Sequence, residues 1–89
     1  MIHIKIFGKH NCDACNSTKQ KFKIFLEKWD KTKEVKIDFY DLDTAEGLTE
    51  GTMTDATDIP STIILKDEIE VRRWNGEVPL SKEFKDIFF

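Results

Sequence analysis

Ile2, Ile4 and Ile6 alternate with His3, Lys5 and Phe7. A period of two predicts a strand at the N-terminus, and Gly8 is expected to break it. The period then changes. From Cys15 onward the apolar residues are Phe22, Phe25, Leu26 and Trp29, at relative positions 0, 3, 4 and 7. Those positions form one face of an amphipathic helix. Val35, Ile37 and Phe39 alternate with Lys36, Asp38 and Tyr40, which predicts a second strand. Asp43, followed three residues later by Glu46, has the form of a capping box. It opens a second helix whose apolar face would be Ala45, Leu48, Met53 and Ala56. Gly47, Gly51 and the threonines from Thr44 to Thr57 weaken this helix, because both residue types have low helix propensity.

The run from Ser61 to Leu65 is β-branched and apolar, as suits a buried third strand. Lys66-Asp67-Glu68 makes a turn. Ile69 and Val71 then alternate with Glu70 and Arg72 in a fourth strand, antiparallel to the third. Asn75-Gly76 ends it. Leu80, Phe84, Ile87 and Phe88, at positions 0, 4, 7 and 8, give a final helix. The order is βαβαββα. Helical crossovers after the first two strands call for a right-handed parallel component, and the last hairpin is antiparallel. The class is α/β, with a four-stranded mixed sheet and three helices.

Eighty-nine residues suit one domain over 1–89. Charged residues make up 35% and apolar ones 39%, a globular balance rather than a disordered one. No apolar run approaches the ~20 residues that span a bilayer, and the opening apolar stretch is too short for a signal peptide. A cytoplasmic location with no membrane contact is therefore expected. The net charge of −3 hides an asymmetry: residues 1–36 hold nine lysines against four acids, and residues 37–89 hold five basic groups against thirteen acids. The lysines fall mostly on the exposed face of the first helix. No aromatic residues interleave them there, so no nucleic-acid partner is expected.

The chemistry lies between the first strand and the first helix. Cys12 and Cys15 are the only cysteines, in the run Gly8-Lys9-His10-Asn11-Cys12-Asp13-Ala14-Cys15. Residues three apart share a helix face, so the two sulfurs reach disulfide distance with little rearrangement. Cys-x-x-Cys in this context is the pattern of a redox-active dithiol. Cys15 lies seven residues before Phe22 and belongs to the buried side; Cys12 is expected to be the more exposed. The helix N-terminus favours a thiolate at Cys12, as do Lys9 and His10, while Asp13 opposes it. A bridge closing so small a loop constrains the unfolded chain little, which argues against a purely structural disulfide.

The element order, with Cys-x-x-Cys at the start of the first helix, resembles the thioredoxin fold in its smallest form, that of the glutaredoxins. The resemblance covers nearly the whole chain. A second motif supports it: Asp58-Ile59-Pro60-Ser61-Thr62 stands where the family carries a cis-proline before the third strand, facing the dithiol. The resemblance implies that Ile59 and Pro60 contact a bound disulfide substrate, that Gly76 lets a partner chain approach, and that Lys9 assists glutathione or thiolate binding. It also implies a disulfide-bearing protein as substrate, with thioredoxin reductase or glutathione as the reductant of a monomeric protein. Departures stand beside it. Asp13-Ala14 is neither the Pro-Tyr of glutaredoxins nor the Gly-Pro of thioredoxins, and Asn11 replaces a tryptophan. Glu77 follows a single glycine where glutaredoxins place a polar residue for the glutathione carboxylate.

The mechanism this implies is dithiol–disulfide exchange, with Cys12 attacking and Cys15 resolving. It needs no cofactor or metal beyond that pair and an external thiol reductant. A metal-binding or metallochaperone domain is the alternative, with His10 as a third ligand and Asp13 or water as a fourth. Such domains run βαββαβ and end on a strand, and Pro60 has no role in them. A non-enzymatic interaction module is a third class, one that gives the dithiol no task. His3 is expected to be structural, His10 solvated, and Trp29 and Trp74 to pack in or around the core.

Overall fold

The computed structural model describes residues 1–89. Four strands form one sheet: β1 (Ile2–Gly8), β2 (Val35–Asp41), β3 (Ser61–Lys66) and β4 (Ile69–Asn75), in the order β2-β1-β3-β4. β1 runs parallel to β2 and antiparallel to β3, and β3 is antiparallel to β4. Three helices complete it: α1 (Asp13–Lys28), α2 (Ala45–Met53) and α3 (Ser81–Phe84), with 3-10 turns at Thr32–Glu34 and Lys85–Ile87. The expected βαβαββα order and mixed sheet are present.

Two apolar clusters lie against the sheet. The larger joins Ile4, Ile6, Ile64 and Trp74 of the strands to Phe22, Leu26, Phe84 and Phe88. Alternation along β1 produces this: Ile4 and Ile6 face α1, while Phe7 faces the opposite side and joins Leu42, Ala56 and Ile63. Trp29 packs against Phe84, Phe88 and Phe89 with ring centroids 5.6 to 6.1 Å apart. Phe7 stacks on Tyr40 at 5.1 Å, and burial raises the Tyr40 phenol above its ordinary value, against the lowering field of Lys5. His3 Nε2 lies 2.7 Å from Asp38 Oδ2, linking β1 to β2.

Several sequence expectations are corrected. Gly8 does not break β1; it is the last residue, paired with Asp41. α2 is capped by Thr44, whose hydroxyl accepts from the Gly47 N–H at 3.0 Å, rather than by Asp43. Its inner face is not Ala45, Leu48 and Met53, which are exposed; the buried residues are Gly47 and Gly51. The reason is the separation from the sheet: a Cβ on Gly47 would fall on the Asp41 backbone. On β4, an edge strand, Ile69 and Val71 are exposed. Leu80 precedes α3 and is half exposed, while Phe84 and Phe88 carry the helix's contacts.

Candidate active site

The register brings four strand ends to one edge of the sheet. Gly8 ends β1 beside Asp41 of β2; Phe7 pairs with Ser61, and Ser61 pairs with Asn75 of β4. The loops leaving this edge carry Lys9 to Cys12, Leu42 to Thr44, Thr57 to Pro60 and the chain beyond Gly76. The sequence-predicted site residues Lys9, Cys12, Cys15, Ile59, Pro60 and Gly76 therefore all lie at or beside this edge.

Cys12 and Cys15 are joined as a disulfide, with their Cα atoms 5.2 Å apart. Cys12 is the N-cap of α1, and its sulfur accepts from the Cys15 N–H at 3.1 Å. A helix start leaves its first N–H groups without intrahelical partners. Here the Cys12 sulfur meets one of them, which is the setting that favours a thiolate once the bond is reduced. Cys15 is fully buried, and Cys12 is part exposed. The helix phase read from Phe22 anticipated this difference. What it did not anticipate is the floor beneath Cys15. A Cβ built on Gly8 would stand 2.6 Å from Cys15 Sγ and 3.3 Å from the Phe39 ring. Gly8 is thus the surface on which the buried sulfur rests.

The cations near Cys12 are differently engaged from the expectation. Lys9 Nζ lies 3.5 Å from Asp43 Oδ1, and His10 Nε2 lies 2.9 Å from Asp41 Oδ2. The His10 side chain is 85% exposed and the Asp41 side chain only 14%. Asp41 also accepts from the Asp43 N–H at 2.9 Å, so this carboxylate joins the cysteine loop to the loop after β2. Asp43 therefore offsets the Lys9 charge, and less of its field reaches Cys12 than the sequence alone suggests. The Asn16 side chain steadies the same loop by donating to the His10 carbonyl at 3.2 Å. Asp41 was not singled out from the sequence; its one signal was its place at the end of a strand parallel to β1.

The Ile59–Pro60 peptide bond is cis, as expected, and Pro60 is buried immediately before β3. Ser61 Oγ donates to the Asp58 carbonyl, closing the loop around it. Gly76 has a φ of +71°, in the left-handed region that favours glycine. A Cβ there would stand 3.6 Å from Asp58 Cβ, so the Gly76 turn and the Pro60 loop lie against each other. Trp74 is core rather than rim, 2% exposed and crossed by Arg72 at 4.9 Å.

Solved structures match this arrangement over nearly the whole chain. Thioredoxin 1 from Thermosipho africanus superposes with a TM-score of 0.75 at 21% identity, covering 96% of this chain and 89% of that one. The chain has the thioredoxin fold. The thioredoxin of Fasciola hepatica gives a TM-score of 0.73 at 21% identity, over 97% of this chain and 77% of that one. Oxidised thioredoxin O2 of Arabidopsis thaliana gives 0.76 at 14% identity, over 100% and 76%. No protein-family model matches the sequence, and no curated protein matches it. The likeness is one of fold. No group of three or more His, Cys, Asp or Glu residues is arranged to hold a metal ion, and no helix is long and apolar enough to cross a membrane.

Proposed function

We propose that the protein is a thiol–disulfide oxidoreductase that reduces protein disulfides by dithiol–disulfide exchange. The observation that carries this reading is the asymmetric pair on a thioredoxin fold: Cys12 reachable at the N-terminus of α1, Cys15 buried behind it. The Cys12 thiolate attacks one sulfur of a substrate disulfide. That S–S bond breaks, one substrate sulfur leaves as a thiolate and takes a proton, and Cys12 is left in a mixed disulfide. Cys15 then loses its proton and attacks the Cys12 sulfur. The second substrate sulfur leaves and is protonated in turn. The substrate has gained two electrons and two protons, and the Cys12–Cys15 bond has re-formed.

Ile59, Pro60 and Gly76 line the approach to Cys12 in this scheme, and Lys9 stands at its margin. The protein works as a monomer in a reducing, cytoplasmic setting, where thioredoxin reductase or glutathione returns the dithiol. Glu77, directly after Gly76, favours the reductase, because a carboxylate there repels the carboxylates of glutathione. In the metal-binding alternative Asp41 occupies His10 Nε2, which leaves only Nδ1 to serve as the third ligand.

A coupled NADPH assay tests the proposal, run in parallel with thioredoxin reductase and with glutathione plus glutathione reductase. NADPH consumption in at least one arm is expected, faster with the reductase. Dithiothreitol should expose both cysteine thiols of each chain without releasing metal. Silence in both arms, together with metal retained on the reduced dithiol, would overturn the redox reading.

A further inference from the structure

The loops that frame Cys12 on the Pro60 side carry carboxylates. Asp13 is the first residue of α1, Asp58 precedes Ile59 and Pro60, and Glu77 follows Gly76; all three are exposed. Asp58 and Glu77 belong to one local surface, because Asp58 Cβ lies against Gly76. The cations of the same edge are engaged elsewhere. Lys9 and His10 point to Asp43 and Asp41 across the loop after β2. Lys21, which lines the same hollow along α1 as Asp13, donates to the Pro79 carbonyl at 2.8 Å and forms no ion pair with these acids. The side from which a disulfide reaches Cys12 therefore presents Asp13, Asp58 and Glu77 with no ion-pair partner among the described salt bridges.

We infer that the cognate disulfide is cationic: its partner carries lysine or arginine beside the half-cystines, and Asp13, Asp58 and Glu77 select it. The inference rests on the oxidoreductase reading and names its substrate class. The physical basis is long-range. Exposed charges act together over a screening length of about 30 Å at 0.01 M ionic strength and only about 3 Å at 1 M. A cationic disulfide is then drawn to the edge and an anionic one repelled, mainly through the rate of encounter. The selection acts before the chemistry and leaves the exchange steps themselves unaltered.

The test uses the full reduced chain and three small disulfides of different charge. Cystamine bears an ammonium at each end, hydroxyethyl disulfide is neutral, and dithiodipropionate bears a carboxylate at each end. Each rate of oxidation of the protein is divided by the rate at which dithiothreitol reduces the same disulfide at the same pH and salt. At low salt the normalised rate for cystamine should exceed that for dithiodipropionate by about tenfold, falling to about twofold or less at 1 M. Asp58→Asn combined with Glu77→Gln should cut the low-salt ratio by about threefold, and Asp58→Lys with Glu77→Lys should invert it. A ratio at or below one for the unmodified chain, or one that the double variants do not move, overturns the inference. Failure of the neutral disulfide to react is a different result, and it overturns the oxidoreductase reading instead.

Discussion

Cys15 Sγ rests on the bare backbone of Gly8, where an added methyl carbon would come within 2.6 Å of the sulfur and 2.7 Å of Cys15 Cβ. The strand end and the buried half of the dithiol thus occupy space that only a glycine leaves open. Neither can easily yield. Gly8 is held by pairing with Asp41, and Cys15 is held by α1 and by its bond to Cys12.

Gly8→Ala is therefore expected to destabilise the oxidised protein. Overpacking of a closed core costs about 1–3 kcal/mol. In a domain of this size each kcal/mol lowers the melting temperature by about 4–8 °C. Calorimetry of the oxidised and reduced forms checks it. A melting temperature unchanged in both forms would show that α1 can shift away from the strand without cost.

The two cysteines should behave differently when each is replaced by serine. Cys15→Ser leaves the exposed sulfur and should accumulate a stable mixed disulfide with a small disulfide probe, seen as added mass. Cys12→Ser leaves only the buried sulfur and should accumulate far less. Equal trapping by the two variants would contradict the assignment of attack to Cys12.

Gly47 and Gly51 should respond unequally to alanine. Ala improves helix propensity by about 1 kcal/mol at either position. At Gly47 the methyl group would meet the Asp41 backbone, which cannot move aside, so a net loss of about 2 kcal/mol or more is expected. At Gly51 it would meet Leu42 Cδ2 at 2.8 Å, the end of a flexible side chain. There the propensity gain and the repacking cost should nearly cancel, within about 1 kcal/mol. Urea unfolding of both variants decides, and equal losses would show that close approach to β2 is not what selects Gly47.

Arg73 should anchor α2 to β4, with a pH signature. Its guanidinium donates to the carbonyls of Thr54 and Asp55 at 2.8 and 3.1 Å and to both carboxylate oxygens of Glu70. The hydrogen bonds from Arg73 hold Glu70 below its ordinary value of 4.5, although burial opposes them. A depressed carboxylate stabilises the fold fully above its unfolded value and loses that contribution as pH falls through the folded one. The advantage of the unmodified chain over Glu70→Gln should thus be present at pH 7, amount to less than about 1 kcal/mol for so exposed a pair, and be lost as pH falls through the depressed folded value. An advantage that persisted at low pH would place its origin outside the ionised pair. Arg73→Lys should cost about 1–2 kcal/mol at pH 7, because one ammonium cannot satisfy both carbonyls and the carboxylate in that geometry.

Much of this protein is legible in the order of its residues. The alternation of Ile2, Ile4 and Ile6, the spacing of Phe22, Phe25, Leu26 and Trp29, and the run from Ser61 to Leu65 mark β1, α1 and β3. They do so because period and burial are local properties of each segment. The same phase told Cys12 from Cys15. The resemblance carried by Asp58-Ile59-Pro60 implied a cis bond at the place where the chain turns into β3, and the bond is cis.

Other features depend on distances between segments that no local pattern records. Gly47 and Gly51 look like helix breakers until the end of β2 is seen to lie beneath the first and Leu42 and Phe7 beneath the second, and then they are the face that packs. Ile69 and Val71 alternate with polar residues as a strand should, yet β4 lies at the edge of the sheet and both are exposed. Lys9 and His10 seem free to act on Cys12 until parallel pairing of β1 with β2 brings Asp41 and Asp43 beside them. Periodicity reports which residues avoid water. Which partner waits on the other side is set by how the sheet assembles, and at this site that partner is a bare glycine for Cys15 and a carboxylate each for Lys9 and His10.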